Sequence, residues 1–275
     1  MKIGLYALHR GGNVDPDRVR DCAQRCERLG FESLWVGDHI ALPDDAPDSA
    51  TEPRTEALTT LAYIAAVTVT VKLGVGVLVL PQRHPVLLAK QLTTIDTLSK
   101  GRLLVGVGVG YVEAELAAFG VTLAERAERT EEYLAATRAM WTQTRTFRGR
   151  HVQWDGVVQS PVPLRPSGPP IILGGHARPA LTRAARLADG WFGWNLTCDE
   201  AAGYVDQLRR YRRETGRSDP LEITVVPAQL PSRSDRDAYA AAGVDRLVLV
   251  PDEMTADTTD RLIDHAAVEL LGAPA

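Results

Sequence analysis

The sequence predicts a (β/α)8 barrel, and three observations carry that prediction. Short apolar runs alternate with longer segments of helical periodicity, which is the alternation that dictates a parallel sheet. Eight such strand-then-helix units can be counted, the number a closed α/β barrel needs. Those units consume nearly all of the 275 residues, a length that such a barrel absorbs as one domain. A single domain over residues 1–275 is therefore expected, since no shift in composition marks a second one. An open doubly wound sheet is the competing architecture.

The first strand is read at Ile3–Leu8. In the helix after it, Asp15 can cap and Pro16 suits the first turn. Val19, Cys22, Ala23, Cys26 and Leu29 form its apolar stripe, and Gly30 stops it. Ser33–Gly37 is the second strand, ending at Asp38-His39, with a helix from near Thr55 to Val69. The third strand, Lys72–Leu80, precedes a helix with Pro85 at its start and Gly101 at its end. The fourth, Arg102–Gly110, precedes a helix opening at a capping box, Thr122-x-x-Glu125, and reaching about Trp141. Residues 145–165 break the rhythm. There His151–Trp154 and Val157–Gln159 flank Asp155-Gly156, a hairpin signal. A Pro-rich connection, Ser160–Pro170, leads to strand five at Ile171–Leu173 and a helix at Ala177–Leu187. Strand six is Gly190–Trp194, and its helix opens at a second capping box, Thr197-x-x-Glu200. Strand seven is Glu222–Ala228, with a short helix near Arg236–Ala242. Strand eight, Arg246–Val250, and a closing helix over Thr255–Leu271 complete the set.

Composition excludes several classes. The net charge of −4 argues against a nucleic-acid binder or a polybasic membrane surface. No run of about 18 apolar residues exists, so no membrane span is expected. The opening MKIGLYALHRGG lacks the apolar stretch of a signal peptide, and a cytoplasmic location is expected. Three cysteines, an odd and low count, fit a reducing compartment. Only Lys2, Lys72, Lys90 and Lys100 are lysines among the 31 basic residues; the rest are arginine.

In a barrel, chemistry sits at the C-terminal ends of the strands. Asp38-His39 ends strand two. A histidine there can take or give a proton near neutral pH, and Asp38 could orient its ring, bond a cofactor, or simply cap the loop. Strands three and four carry Gly74, Gly76, Gly106, Gly108 and Gly110. Repeated glycine weakens a strand, so it points to close approach of something flat or to a small-residue layer. The ligand reading is favoured for Gly76 and Gly108, the packing reading for Gly106. No G-x-G-x-x-G loop is present. Gly174-Gly175-His176-Ala177-Arg178 joins a strand to a helix, where backbone amides could hold a phosphate or merely turn the chain. Glu113 and Glu115 follow strand four as possible acid/base groups, but a solvated first turn is the favoured reading. Cys22 and Cys26 are core thiols, His151 and His265 structural, and His84 a loop residue. His9 and the Asp38-His39 pair are too few for a metal hydrolase, so no metal is expected. No Gly-x-Ser-x-Gly elbow appears.

Four segments, in order, resemble the bacterial luciferase-like monooxygenase superfamily. They are Gly30 through His39, Leu73 through Leu78, Gly101 through Gly110, and Ile172 through Trp191. Within that superfamily the chain resembles the actinobacterial flavin- or deazaflavin-dependent oxidoreductases. The resemblance implies a luciferase-like barrel with an isoalloxazine-like ring at the strand ends. It maps a non-proline cis peptide to Gly76-Val77, so that Gly76, Val77 and Leu78 back the ring with Gly108 beside them. It puts the cofactor phosphate on Gly174, Gly175, His176 and Ala177, and matches Asp38 and His39 to ring- and substrate-contacting positions. The acid that some relatives carry after strand four aligns near Tyr111, not with a glutamate.

The leading expectation is an oxidoreductase exchanging a hydride between coenzyme F420 and a small organic substrate. His39 would be the acid/base catalyst and Asp38 would orient it or bond the ring. Arg83 and Arg178 could meet the anionic deazaflavin tail. The alternatives are an FMN-dependent monooxygenase or reductase, and a non-catalytic flavin-binding protein. The resemblance also implies a homodimer through helices near the second and third units, where Ala57–Val69 could serve. Loops at 40–56, 111–121 and 145–165 would line the substrate pocket, under little lid.

Overall fold

The computed structural model describes residues 1–46 and 52–272. Part of the 40–56 loop, residues 47–51, and the last three positions of the expected domain lie outside the described residues. The chain starts with β1 (Lys2–Tyr6), α1 (Pro16–Leu29), β2 (Ser33–Val36), α2 (Ala57–Val67), β3 (Lys72–Val79) and α3 (Pro85–Leu98). It continues with β4 (Leu103–Gly108), α4 (Glu113–Ala118), α5 (Arg126–Trp141) and the strands β5 (Thr146–Arg148) and β6 (Gln153–Asp155). Then come β7 (Ile171–Gly174), α6 (Arg178–Leu187), β8 (Gly190–Leu196), α7 (Cys198–Glu214), β9 (Glu222–Pro227), α8 (Arg233–Ala241), β10 (Arg246–Leu249) and α9 (Ala256–His265). One π-helical turn, Ala266–Leu271, follows α9.

Eight strands close into a barrel in the order β1-β10-β9-β8-β7-β4-β3-β2, and β1 pairs in parallel with both β10 and β2. Closure leaves no sheet edge, so the open doubly wound alternative is overturned. Helix boundaries follow local chemistry. Asp15 accepts the Arg18 amide at 3.0 Å, and Gly30 ends α1 with φ 88°. Thr197 and Glu200 form the reciprocal box that starts α7, and Ser232 with Asp235 does the same for α8. Among the described residues no helix is long and apolar enough to cross a membrane.

Two apolar layers hold the barrel. The larger lies between the strands and the helices and contains Cys22 and Cys26, both buried. The smaller fills the barrel itself, with Tyr6, Trp35, Leu104, Ile172, Phe192, Val226 and Val248. At the bottom, the fully buried Arg246 donates to Glu32 at 2.8 and 2.9 Å and to Glu222 at 2.5 Å. The glycines of β3 and β4 serve this interior. A Cβ on Gly74 would stand 2.3 Å from the Trp35 ring, and one on Gly106 would stand 2.0 Å from the Val75 carbonyl oxygen.

Three local expectations need correction. The bonds between Thr122 and Glu125 form, but on the turn before α5, and the 111–121 segment holds the unforeseen α4. The hairpin does not reverse at Asp155-Gly156: Phe147 pairs with Trp154, so the turn covers residues 149–152. A distant carboxylate decides this. Glu132 accepts the amides of Arg150, His151 and Val152, each at 2.8 Å, and Phe147 stacks on Trp154 at 4.8 Å. Val157–Gln159 consequently pairs with no strand.

Candidate active site

A cavity of about 1320 Å³ opens at the C-terminal ends of the strands. β2 delivers Asp38 and His39 to it, β3 delivers Gly76 and Val77, and β7 delivers Gly174, Gly175 and His176. Aromatic rings from β1 and β8 form another part of the wall. Tyr6 meets Trp194 edge-on at 5.2 Å, and Phe192 stacks with Trp194 at 6.3 Å.

His39 is held from one side and addressed from the other. Its Nδ1 lies 3.0 Å from Glu115 Oε2, and its Nε2 lies 3.3 Å from the Tyr111 hydroxyl. The other Glu115 oxygen accepts the amides of Ile40 at 2.7 Å and Ala41 at 3.3 Å. The Glu115 side chain is 2% exposed. Burial alone would raise its pKa, but the bond and charge of His39 and the two amides outweigh it and hold the carboxyl below its ordinary value. Glu115 is thus an acceptor, which requires His39 to carry its proton on Nδ1 and leaves Nε2 as the basic atom. The expected solvated turn at Glu115 is corrected: α4 folds back and buries it beneath the loop after β2.

Asp38 does not orient His39. Its oxygens accept from Arg83 Nη2 at 2.5 Å and from the Val79 amide at 2.9 Å. Burial pushes the Asp38 carboxyl up, against the opposing pull of Arg83 and the amide. Arg83 also reaches Glu56 at 2.8 Å, so it is committed to two carboxylates and does not reach out toward a cofactor tail. His9 is buried nearby and accepts the Gly37 amide on Nε2 at 3.0 Å, while its Nδ1 has no partner among the described residues. Burial, helped by the charges of Arg54, Arg10 and His39, lowers its pKa to about 3.

The floor of the cavity is a side chain, not bare glycine. The peptide Gly76-Val77 is cis, and the β3–β4 register shifts between Val75 and Leu78. Cβ atoms placed on Gly106, Gly108 and Gly174 would stand 3.2, 2.6 and 3.2 Å from Val77 methyls. Those three glycines make room for Val77, which occupies the position expected of a flat ligand's floor. Leu78 points away into the layer under the helices. Gly174 and Gly175 remain at the wall, Gly175 with φ 112°, and Ala177 caps α6 with Arg178 exposed behind it. His176 accepts the Trp194 amide at 3.1 Å and stacks on Tyr204 at 5.1 Å. Burial lowers the His176 pKa.

Arg10, Arg54, Tyr6 and Trp194 also line the cavity, and none carries a recognisable local motif. Only the rule that loops after strands bear function could have pointed to them.

The luciferase-like monooxygenase family model matches residues 1–268. An uncharacterized protein, Rv0940c, of Mycobacterium tuberculosis (strain ATCC 25618 / H37Rv) is 32% identical over 82% of this chain and 79% of its own length. An FMNH2-dependent dimethylsulfone monooxygenase of Pseudomonas fluorescens (strain Pf0-1) is 35% identical over 82% of this chain and 65% of its own. Among solved structures, an F420-dependent secondary alcohol dehydrogenase shares the fold at a TM-score of 0.83 and 16% identity, covering 100% of this chain and 99% of that one. The long-chain alkane monooxygenase LadA does so at 0.81 and 16%, covering 98% and 90%.

Proposed function

The chain belongs to the luciferase-like monooxygenase family, and from that premise we propose that it is an oxidoreductase working on a small organic substrate with reduced FMN. The observation that carries this reading is one cavity that joins the Glu115–His39–Tyr111 array to the Val77 floor and the Gly174–Gly175 turn. The 35% identity to a monooxygenase whose name states FMNH2 supports FMN as the cofactor.

The residues present fit such a group. Val77 offers a smooth apolar face, and Trp194 and Phe192 offer aromatic ones, so a planar ring has both a floor and a wall. Gly174 and Gly175 carry no Cβ to block approach to the amides before α6, the position where a phosphate is best held. Bound reduced FMN supplies the electrons and the reactivity toward oxygen. The protein supplies position and a proton route. Glu115 fixes the imidazole through Nδ1, and Nε2 takes or returns a proton at the cavity face, with the Tyr111 hydroxyl as its neighbour. Arg83 holds Asp38 against the Val79 amide and so secures the loop that carries His39. Val77, Phe192 and Trp194 give the ring's end of the cavity an apolar face, while the charged side chains of the wall lie elsewhere on it.

Coenzyme F420 is the second reading. It is favoured by the Asp38-His39 pair, which the sequence resemblance matches to deazaflavin relatives. Fluorescence titration of the purified protein with each cofactor tests the choice. Tighter FMN binding is expected, and tighter F420 binding would replace the first reading by the second. A homodimer through α2 and α3 belongs to the same proposal, with the exposed Tyr63 and Leu87 on those helices in its support. Light scattering tests it, a monomer mass counting against it.

A further inference from the structure

One cation in the cavity, Arg54, has only a long ion pair and no hydrogen-bond partner for its side chain among the described residues. The Arg54 guanidinium makes no hydrogen bond among the described residues, and its Nε and Nη2 are buried without acceptors. Its ion pair is a loose one, 3.5 Å from Nη2 to Glu52. That carboxylate is engaged more closely by Arg10. Arginine offers five donors in a fixed fork, and a sheltered fork left unbonded is costly unless something else completes it.

The backbone on both sides of Arg54 is hydrogen-bonded to another loop. Arg10 and Arg54 form an antiparallel bridge. Gly11 donates its amide to the Pro53 carbonyl at 2.9 Å, and Thr55 donates to the His9 carbonyl at 2.9 Å. Residues 53–55 are thereby strapped to the loop after β1. In the closed barrel, β1 and β7 stand four strands apart in either direction. Arg54 and the Gly174–Gly175 turn consequently sit on opposite rims of one mouth. β2, which carries His39, is the immediate neighbour of β1. An anion held at Arg54 would be far from the phosphate turn and beside the proton-handling histidine.

Beyond Glu52, which is shared with Arg10, the carboxylates of the wall do not neutralise this cation. Asp38 is bonded to Arg83. Asp252 and Glu253 line the mouth as well, but both are exposed at its rim, where solvent screens them. The Arg54 side chain is 12% exposed, so its field is screened less.

We propose that Arg54 is a specificity-determining residue that binds the oxyanion of an acidic substrate, a carboxylate in the simplest case, with the rest of the substrate extending past His39. This rests on the proposed function in taking the cavity as the substrate pocket. The test is calorimetric titration of the protein, with and without FMN, using hexanoate, hexanamide and hexylammonium as probes. Hexanoate should bind at least about tenfold tighter than hexanamide, and Arg54→Gln should weaken hexanoate by about 10- to 100-fold, the range of charge-assisted hydrogen bonds. Hexanamide and FMN affinities should stay within about twofold of wild type, and Arg54→Lys, which keeps the charge, should retain part of the hexanoate binding. Equal binding of hexanoate and hexanamide, preferred binding of hexylammonium, or full hexanoate affinity in a folded Arg54→Gln protein would overturn the proposal. So would loss of FMN affinity in that variant with hexanoate unaffected, because the arginine would then serve the cofactor. Arg54-dependent hexanoate binding in a protein that binds neither FMN nor F420 would uphold the anion site and sink the flavin reading instead.

Discussion

Glu115→Gln isolates the job of the buried carboxylate without emptying its space. In the native site one Glu115 oxygen faces two amide donors and the other faces His39 Nδ1. The replacement has one oxygen and one NH2 group. If the NH2 turned toward Ile40 and Ala41, donors would face donors at two part-buried backbone sites, each costing up to about 1–3 kcal/mol. The amide oxygen therefore stays with those backbone groups, and the NH2 faces Nδ1. His39 must then accept on Nδ1 and carry its proton on Nε2, the tautomer opposite to the native one. Nε2 can no longer take a proton from the cavity or accept from Tyr111. Misplacing the tautomer of a catalytic histidine costs about 10²- to 10⁴-fold in rate. Stability should change by only about 1 kcal/mol, since the two amide bonds survive and a buried charge is removed. Stopped-flow measurement of the substrate-dependent step, paired with ¹⁵N NMR of the His39 ring, reads both effects. A rate within about threefold of wild type, or an unchanged ring tautomer, would refute the reasoning.

Further expectations concern stability. His9 has its pKa lowered to about 3, so the unfolded chain binds a proton that the folded chain refuses. Its contribution is complete above about pH 6.5 and is lost as pH falls toward 3; urea melts of wild type and His9→Gln across that range should show the variant with the shallower slope. Glu32, 21% exposed, has its pKa lowered to about 2: burial opposes this, and the bond and charge of Arg246 with the bonds from Lys72 and Ser33 prevail. That stabilisation is present above about pH 4.5 and lost as pH falls through 2, and its upper bound is about 3 kcal/mol. Arg246→Ala would leave Glu32 and Glu222 facing an empty site and should cost about 3–5 kcal/mol in denaturant melts, whereas a loss below 1 kcal/mol would mean that water replaces the guanidinium. Gly106→Ala should destabilise by several kcal/mol because the Val75 carbonyl oxygen stands where the methyl must go. Gly203→Ala, inside α7 with nothing within 4 Å, should instead stabilise by roughly 0.5–1 kcal/mol. Thermal melts giving the same sign for both glycines would contradict the packing account.

The sequence by itself determined what is local. Eight alternations of strand and helix, Asp15 before Pro16, Gly30 after Leu29 and the Thr197–Glu200 box all act within a few residues, and each forms as read. The segments resembling the luciferase-like family were legible for the same reason, and the cis Gly76-Val77 peptide lies where that resemblance maps it. Only the tertiary structure decided the pairings. Glu115 meets His39 across 76 positions, and Glu132 sets the hairpin turn from about 20 positions away. Arg54 reaches the cavity because a loop is strapped to another loop. The glycines of β3 and β4 show the difference most plainly. Their sequence pattern says that space is needed, whereas the closed barrel decides that Trp35 and Val77 take it. Hydrophobic periodicity and caps report which face of a segment is buried; they carry no term for which distant side chain arrives at that face.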